Sequence, residues 1–305
     1  MTNGLTVENW KLRLFRHPNE DAYSIDREEG LVAVADGVTR DPISYLPKNN
    51  LLGKVKFLRN YPNPSPAKIA SDIFVATFPL VLKDFNAQNR DDRAIREGFK
   101  ITNEKIREWN DNNIPNPDYV LNDFAGCVAS GTSHQYGVVH WGYLTDTGIA
   151  IFDEKGNLRF RTENQGPDKY DKYIWADKRL KTIDWKNPEA RRIVRRDYRN
   201  NPQEKHSFGV LTGEESAMKY VRTGKEELRP GEHLIVYTDG LESTIFSSEF
   251  SDALRGGHRA IKKLCQRNVR TEGTLIHDYQ SLGTNSLSAY EREWQMEQIA
   301  RDNLW

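Results

Sequence analysis

Two runs of apolar residues along the chain end on the same dipeptide, an aspartate followed by a glycine. Residues 31–37 read LVAVADG, and residues 234–240 read LIVYTDG. Short apolar runs bounded by a turn signal are typical of buried strands. The pattern therefore predicts two buried strands that end on Asp36 and Asp239, each with a glycine that lets the backbone turn sharply beside the carboxylate.

A third pair of acidic residues precedes another predicted strand. Residues 16–21 read RHPNED and lead into AYSI, so Glu20 and Asp21 stand at the start of a strand. Three acidic strand ends can meet at one edge of a core, where buried carboxylates need a charged partner. Oxygen donors suit Mg²⁺ or Mn²⁺, and the pattern therefore favours a divalent metal site. The alternative is that each Asp-Gly pair is an ordinary turn.

Along the rest of the chain, apolar residues recur at the spacings typical of strands and helices. Ser65 precedes Pro66 and is expected to cap a helix there, and Pro79 is expected to kink or divide that helix. Residues 5–16 are expected to form an edge strand that leads to Arg16. The other predicted elements are helices at 66–86, 91–110 and 247–268 and strands at 124–131 and 135–152.

The overall composition does not indicate a particular class of binding partner. The 305 residues are 37% hydrophobic and 29% charged, and the 44 Lys and Arg residues balance the 44 Asp and Glu residues. No nucleic-acid partner is expected from this balance, and no membrane partner is expected because no apolar run approaches the ~20 residues of a membrane helix. No signal peptide is recognised, and only two cysteines are present, Cys127 and Cys265. A cytoplasmic protein is expected, with a secreted protein carrying one disulfide as the alternative. The oligomeric state is not predicted.

The acidic motifs resemble, in the same order, those of the metal-dependent protein phosphatases of the 2C type, the PPM family, in its bacterial and phage-like branch. The family opens on R-x-x-N-E-D, continues with an apolar strand ending in Asp-Gly, and later carries Ser/Thr-Asp-Gly. The match to its Gly-Asp-Ser segment is looser. The segments that carry the resemblance are RHPNED at 16–21, ADG at 35–37, LTDT at 144–147, HSFGVLTGEESA at 206–217 and TDGL at 238–241.

The resemblance implies a fold and a domain plan. The expected fold class is α+β, a four-layer α-β-β-α sandwich of two antiparallel sheets flanked by helices. Residues 1–305 are expected to form one phosphatase domain. A variable flap is expected at about 165–206, where the basic run at 191–196 is expected to be a solvated helix face, and a helical tail is expected at about 279–305.

The resemblance also assigns roles to individual residues. It implies two or three Mn²⁺ or Mg²⁺ ions as cofactors. Arg16 corresponds to the arginine that binds the substrate phosphate, and a planar guanidinium suits phosphate oxygens. The implied metal-site residues are Asp21, Asp36, Gly37 through its carbonyl, Asp239, Glu20 through a water, and Asp146 at a third and weaker metal.

Two departures from the family pattern stand out. The family closes with an aspartate that ligates the metal, and Thr271 occupies that position here. Glu272 is one position later, and we hypothesise that its longer side chain reaches the same cation. Many eukaryotic members have a histidine directly after Asp-Gly, but this chain has Val38, so the general acid is not identified.

The activity implied by the resemblance is hydrolysis of phosphate monoesters on serine and threonine of phosphoproteins by metal-activated water, a dephosphorylation step in signalling. Two alternatives stay open. One is a catalytically weak or inactive relative that binds phosphoproteins as a regulatory module. The other is a phosphatase of small phosphorylated metabolites.

Overall fold

The structure is a computed structural model that describes residues 2–8, 18–38, 61–120, 122–181, 183, 187–269 and 272–279. Within these ranges the chain forms ten strands. They are β1 (Thr2–Glu8), β2 (Ala22–Asp26), β3 (Leu31–Gly37), β4 (Cys127–Gln135), β5 (Val138–Tyr143), β6 (Gly148–Phe152), β7 (Leu158–Arg161), β8 (Arg222–Glu227), β9 (His233–Tyr237) and β10 (Glu272–Tyr279).

The strands pair into two sheets of five, and every pairing is antiparallel. Sheet I has the strand order β1-β10-β9-β6-β7, and sheet II has the order β2-β3-β4-β5-β8. The first and last described strands are neighbours in sheet I, with Thr2 opposite Asp278. Residues from both ends of the chain are therefore brought to the same side of the molecule.

Seven helices lie within the described ranges, and the longer ones begin at clear capping residues. Ser65 accepts a hydrogen bond from the backbone N–H of Lys68, and Asp91 accepts from the N–H groups of Arg93 and Ala94. The helices are α1 (Pro66–Lys83), α2 (Asp92–Asn113), α3 (Pro167–Ile174), α4 (Pro188–Ile193), α5 (Glu242–Ile245), α6 (Ser248–Arg255) and α7 (Gly257–Asn268), with a π-turn at Val194–Tyr198 and a 3₁₀ turn at Asp239–Leu241.

Helices cover the outer faces of both sheets. Phe74 and Phe78 of α1 and Phe99 of α2 are fully buried against small residues of β3 and β4, and the rings of Phe74 and Phe99 are 5.1 Å apart. On the other side, α6 and α7 bury residues such as Phe250 and Ile261 against sheet I. Each sheet therefore has one face under helices.

A third apolar layer lies between the sheets. Alternation along β3 decides which residues enter it, since side chains of a strand point in turn to opposite faces. Val32 and Val34 pack between the sheets, whereas Ala33 and Ala35 face α1 and α2. The arrangement is the four-layer α-β-β-α sandwich of two antiparallel sheets, as predicted from the sequence.

The helices differ from the predicted ones in two details. Pro79 is expected to kink or divide its helix, and α1 runs undivided through it from Pro66 to Lys83. The single helix expected at 247–268 is instead divided into α6 and α7. Gly257 at the break has φ +73°, a left-handed conformation that ends the first helix and that glycine adopts without strain.

The region expected to form the flap contains α3, α4 and the π-turn. Its residues build a small apolar cluster that includes Ile174, Leu180 and Val194. The expectation of a solvated basic face is wrong in part, because Arg191 is only 4% exposed, while Arg196 is exposed. The expected tail lies outside the described residues except for Tyr279, which ends β10. None of the described helices combines the length and apolar character needed to cross a bilayer.

Candidate metal centre

The acidic residues at the strand ends lie together where sheets I and II meet. Asp21 directly precedes β2, and Asp36 is the second-last residue of β3. Ala22 pairs with Ala35, so Asp21 and Asp36 are placed side by side at one end of sheet II. Asp239 is separated from the end of β9 by Thr238 and joins the two aspartates from sheet I.

Asp36 is at the centre of this group. Its side chain is partly buried, and burial raises its pKa well above the ordinary value. The charges of Asp21 and Asp239 raise the pKa further, as does a side-chain hydrogen bond with Asp239. Asp146 adds a smaller effect of the same sign. The four aspartates are therefore close enough to repel one another electrostatically.

Asp21 is the most deeply placed of the four aspartates. It is 4% exposed, and the hydroxyl of Thr238 donates a hydrogen bond of 2.9 Å to its Oδ2. The backbone N–H of Thr274 in turn donates to the Thr238 hydroxyl at 2.8 Å, which holds the β9 end and β10 together. Burial raises the pKa of Asp21 to about 7 in spite of these hydrogen bonds. Its other oxygen, Oδ1, is buried with no hydrogen-bond partner.

Glu20 is fully buried and is held by hydroxyl groups. Tyr61 Oη donates to Glu20 Oε1 at 2.8 Å, and Ser65 Oγ donates to the same oxygen. Because Ser65 is also the cap of α1, it ties the RHPNED segment to the beginning of that helix. No local sequence pattern predicts these two partners of Glu20, which lie more than 40 residues away along the chain.

Glu272 lies against the opening motif. The backbone N–H of Glu20 donates a hydrogen bond of 3.0 Å to Glu272 Oε2. Burial, followed by the charges of Asp21 and Glu20, raises the pKa of Glu272 to about 9. The structure thus brings Glu272 beside the acidic group. Thr271, where the family has its closing aspartate, lies outside the described residues, as does Arg16.

Asp146 lies in the tight turn between β5 and β6. Thr145 before it has φ +71° and donates a side-chain hydrogen bond to the carbonyl of Gly209, which fixes the turn. Burial, and then the charge of Asp239, raises the pKa of Asp146 to about 8. Asp146 Oδ1 has no hydrogen-bond partner, and a Cβ on Gly166 would be 3.1 Å from Oδ2.

Both Asp-Gly pairs have a packing reason for their glycine. A Cβ on Gly37 would lie 2.8 Å from the carbonyl of Ala67 in α1. A Cβ on Gly240 would lie 1.8 Å from the carbonyl oxygen of Glu272. These glycines let the strand ends approach α1 and β10 closely, which is what assembles the acidic group.

One cation lies beside the group and was not foreseen from the sequence. Lys68 Nζ donates to the backbone carbonyl of Asp21 at 2.9 Å and pairs with Asp72 at 2.7 Å. Its charge lowers the pKa of Asp21, against the larger effect of burial. Lys68 lies in the first turn of α1, and only the docking of that helix brings it here.

The donor chemistry of the group suits a hard divalent cation, because carboxylates are the preferred ligands of Mg²⁺ and Mn²⁺. Two of its buried oxygens, Oδ1 of Asp21 and Oδ1 of Asp146, have no partner that a cation would displace. In the described part of the chain, however, no three Asp, Glu, His or Cys side chains are already arranged to hold a metal ion.

Comparisons with known proteins place the fold. No family model matches the chain, and no curated protein matches its sequence. The serine/threonine phosphatase PstP/Ppp of Mycobacterium tuberculosis matches with a TM-score of 0.59 at 16% identity, over 92% of this chain and 98% of that one. PppA of Pseudomonas aeruginosa, described as a key regulatory component of T6SS, matches with a TM-score of 0.55 at 15% identity, over 91% and 96%.

Two further structures carry ligands. The catalytic domain of PstP in complex with two manganese ions matches with a TM-score of 0.56 at 17% identity, over 91% of this chain and 96% of that one. The PPM Ser-Thr phosphatase MsPP of Mycobacterium smegmatis, in complex with cacodylate, matches with a TM-score of 0.51 at 15% identity, over 91% and 97%. The chain therefore has the fold of the PPM phosphatases over nearly its whole length.

Proposed function

We propose that this protein is a metal-dependent phosphatase of the 2C type that hydrolyses phosphoserine and phosphothreonine in proteins. The observation that carries the proposal is the group formed by Asp21, Asp36, Asp146 and Asp239. Their mutual repulsion and the two oxygens without partners describe a negative site that divalent cations would neutralise. The same group stands on the fold shared with PPM phosphatases, one of which holds two manganese ions.

The proposed cofactors are two Mn²⁺ or Mg²⁺ ions, with a third and weaker ion at Asp146. Asp21, Asp36, the carbonyl of Gly37 and Asp239 are the proposed ligands, with Glu20 acting through a water. When bound, such ions lower the pKa of a coordinated water so that hydroxide is available near neutral pH. Attack of hydroxide on phosphorus needs no protein nucleophile and no phosphoenzyme.

Hydrogen bonds within the described part of the chain support these proposed roles. Thr238 and Thr274 hold Asp21, whereas the hydroxyls of Tyr61 and Ser65 hold Glu20. Asp239 is exposed, so the group is open to solvent on that side and a substrate can approach it there. Arg16, which precedes the described segment, is the proposed group that binds the substrate phosphate.

Glu272 is proposed to replace the aspartate that closes the family pattern. Its carboxylate faces the same segment that carries Glu20 and Asp21. Glu272 lies one position later in the chain than the family's aspartate, which corresponds to Thr271. The side chain of a glutamate has one more methylene than that of an aspartate. The longer side chain compensates for the later position.

The test is hydrolysis of p-nitrophenyl phosphate with and without Mn²⁺, by the wild type, Asp239→Asn and the control Asp252→Asn. Asp252 is a matched control because its carboxylate is exposed and lies on α6. We expect metal-dependent turnover in the wild type and the control and none in Asp239→Asn. Absence of turnover in all three, with no Mn²⁺ binding by calorimetry, would contradict the proposal and leave the binding-only relative.

Competition experiments define the substrate class. A phosphopeptide that inhibits p-nitrophenyl phosphate hydrolysis at lower concentration than small phosphate esters supports a protein substrate. The reverse order supports the metabolite phosphatase. A cytoplasmic signalling role is proposed with this activity, and the two free, buried cysteines agree with a reducing compartment. One phosphatase domain with a flap at about 165–206 is likewise proposed.

A further inference from the structure

A polar cavity of about 250 Å³ lies at the base of the region proposed as the flap. Its inner wall is formed by buried groups, among them Thr145, Ser207 and Gly209. The hydroxyl groups of Ser207 and Tyr220 are hydrogen-bonded to each other at 2.6 Å and stiffen this wall. The inner wall is therefore held by buried groups, while Lys205, Lys219 and Arg222 of the lining are exposed to solvent.

Three cations stand around the cavity, Lys205, Lys219 and Arg222, against one carboxylate, Glu204. None of the three cations forms an ion pair with an acidic residue in the described part of the chain. Nearby Lys169 differs, because it is paired with Glu163 at 2.6 Å. The cavity therefore has a surplus of positive charge on a protein whose overall net charge is +0.

The cavity shares a wall with the acidic group. Thr145, which lines it, is the neighbour of Asp146 in the chain. Gln165, which also lines it, precedes Gly166, whose Cβ would be 3.1 Å from Asp146 Oδ2. The cavity therefore adjoins the acidic group at the Thr145–Asp146 turn.

We propose that this cavity is a second anion-binding subsite, which receives another negatively charged side chain of the phosphoprotein substrate. The inference rests on the proposed phosphatase function and deepens it. The occupant with the best match is a second phosphoryl group, because it carries about −1.5 to −2 charge and three acceptor oxygens for three cations. An aspartate or glutamate side chain offers the same chemistry with half the charge.

The chain geometry limits how far apart the two groups of the substrate can be. An extended peptide spans at most ~3.3–3.6 Å for each residue, and the near wall of the cavity includes Thr145, the chain neighbour of Asp146. We therefore expect the second group within a few residues of the phosphate that is hydrolysed. A distant acidic patch on the substrate does not serve this subsite.

The test compares peptides that share one phosphoserine and differ at a companion position two residues away, which is alanine, glutamate or a second phosphoserine. The value of kcat/KM is measured for the wild type, for Lys219→Ala with Arg222→Ala, and for the control Lys155→Ala, an exposed lysine in the β6–β7 turn. We expect the wild type and the control to prefer phosphoserine over glutamate and glutamate over alanine. Since each exposed ion pair contributes up to about fivefold, the preference should be about tenfold and should fall to near one in the double variant.

Salt provides a readout that a merely structural role of the cations would not give. The preference of the wild type should decrease between about 0.05 and 0.5 M salt, since screening weakens exposed ion pairs. Equal values of kcat/KM for the three peptides in the wild type would overturn the inference. So would the same loss of preference in Lys155→Ala as in the double variant.

Binding separates failure of this inference from failure of the proposed function. The dissociation constants of the same peptides are measured by fluorescence anisotropy with EDTA present, where no turnover is possible. Weaker binding of the doubly phosphorylated peptide by the double variant supports the subsite even if p-nitrophenyl phosphate is not hydrolysed. Equal binding by the wild type and the double variant overturns the subsite even if p-nitrophenyl phosphate is hydrolysed.

Discussion

The backbone N–H of Glu20 donates a 3.0 Å hydrogen bond to the carboxylate of Glu272, and 252 positions of sequence separate the two residues. This contact places a carboxylate of β10 against the segment that carries Glu20 and Asp21. We predict that Glu272→Gln weakens Mn²⁺ binding by about tenfold or more, as expected when a ligand or its immediate support is lost. Isothermal titration calorimetry measures the affinity directly.

Two further variants make this result specific. Glu272→Asp should lose less affinity than Glu272→Gln because it keeps the charge. Glu154→Gln, in the exposed β6–β7 turn, should bind Mn²⁺ like the wild type. If Glu272→Gln binds as tightly as the wild type, Glu272 is a packing residue and does not replace the missing aspartate.

Asp239→Asn should stabilise the metal-free protein. Asp239 raises the pKa of Asp21, Asp36 and Asp146, so its charge opposes the other three in the folded state. Removing that charge should raise the unfolding free energy by about 1 kcal/mol, in the range found when functional residues are replaced. Thermal unfolding in EDTA tests this, and a lower Tm than that of the wild type would contradict it. Added Mn²⁺ should raise the Tm of the wild type much more than that of the variant.

The buried histidine pair should make the protein sensitive to acid. His233 Nδ1 and His277 Nε2 are 2.9 Å apart, and burial lowers the pKa of His277 to about 3 and that of His233 to about 4. The charge of His258 on α7 also lowers the pKa of His277, whereas the charge of Asp153 raises the pKa of His233. Below pH 6.5 the imidazoles are protonated in the unfolded chain but stay neutral in the folded protein. This contribution to stability is therefore complete above pH 6.5 and is lost as the pH falls toward 4 for His233 and toward 3 for His277.

The carboxylates with raised pKa values titrate over an overlapping pH range, and they change the unfolding free energy in the opposite direction. The test therefore compares the wild type with a variant that lacks one of the two imidazoles. His277→Gln should gain stability relative to the wild type as the pH is lowered from 7.5 to 5, by roughly 1.4 kcal/mol for each pH unit below 6.5. Urea unfolding at several pH values gives the unfolding free energy of the wild type and of His277→Gln as a function of pH. Parallel curves would show that the imidazole of His277 is not held neutral by the fold.

Arg199→Ala should be strongly destabilising. Arg199 donates two hydrogen bonds of 2.8 Å to Asp123, and both side chains are almost completely buried. Loss of one partner leaves a buried charge, which costs about 3–5 kcal/mol, although Arg195 at 3.4 Å retains part of the pairing. The control is Arg196→Ala, whose exposed ion pair with Asp197 should change the unfolding free energy by less than about 1 kcal/mol.

Gly240→Ala should damage both folding and metal binding. Its Cβ would be 1.8 Å from the carbonyl oxygen of Glu272, so either the Asp239 turn or the beginning of β10 must move. Gly257→Ala is the matched control, since it has φ +73° but no atom within 4 Å of its Cβ. It should cost about 1 kcal/mol through backbone strain alone and leave Mn²⁺ affinity unchanged. Equal effects of the two variants on Mn²⁺ affinity would contradict the packing argument.

The strand ends could be predicted from sequence because the evidence for them is local. An apolar run followed by Asp-Gly specifies both the strand and the position of its carboxylate, as at Asp36 and Asp239. That these ends can meet at one edge of the core follows from the pattern of buried carboxylates, the resemblance assigns them to one metal site, and the structure brings them together. The break between α6 and α7 was missed because the apolar period continues through Gly256 and Gly257.

The supporting contacts could not be predicted because they depend on docking. Tyr61, Ser65 and Lys68 reach the RHPNED segment only after α1 packs on sheet II, and nothing in their own sequence context indicates it. The His233–His277 contact depends in the same way on the register between β9 and β10, which pairs Ile235 with His277 and leaves the two imidazoles on one face.

The pairing of β1 with β10 has a consequence for biosynthesis. Among the described strands β1 is synthesised first and its partner β10, which begins at Glu272, is synthesised last, so β1 cannot pair until almost the entire described chain has been made. The same late strand carries Glu272 to the acidic group and Thr274 to Thr238. A nascent chain that stops short of β10 therefore lacks these two contacts with the acidic group, so the proposed metal centre would be complete only once translation has passed this strand.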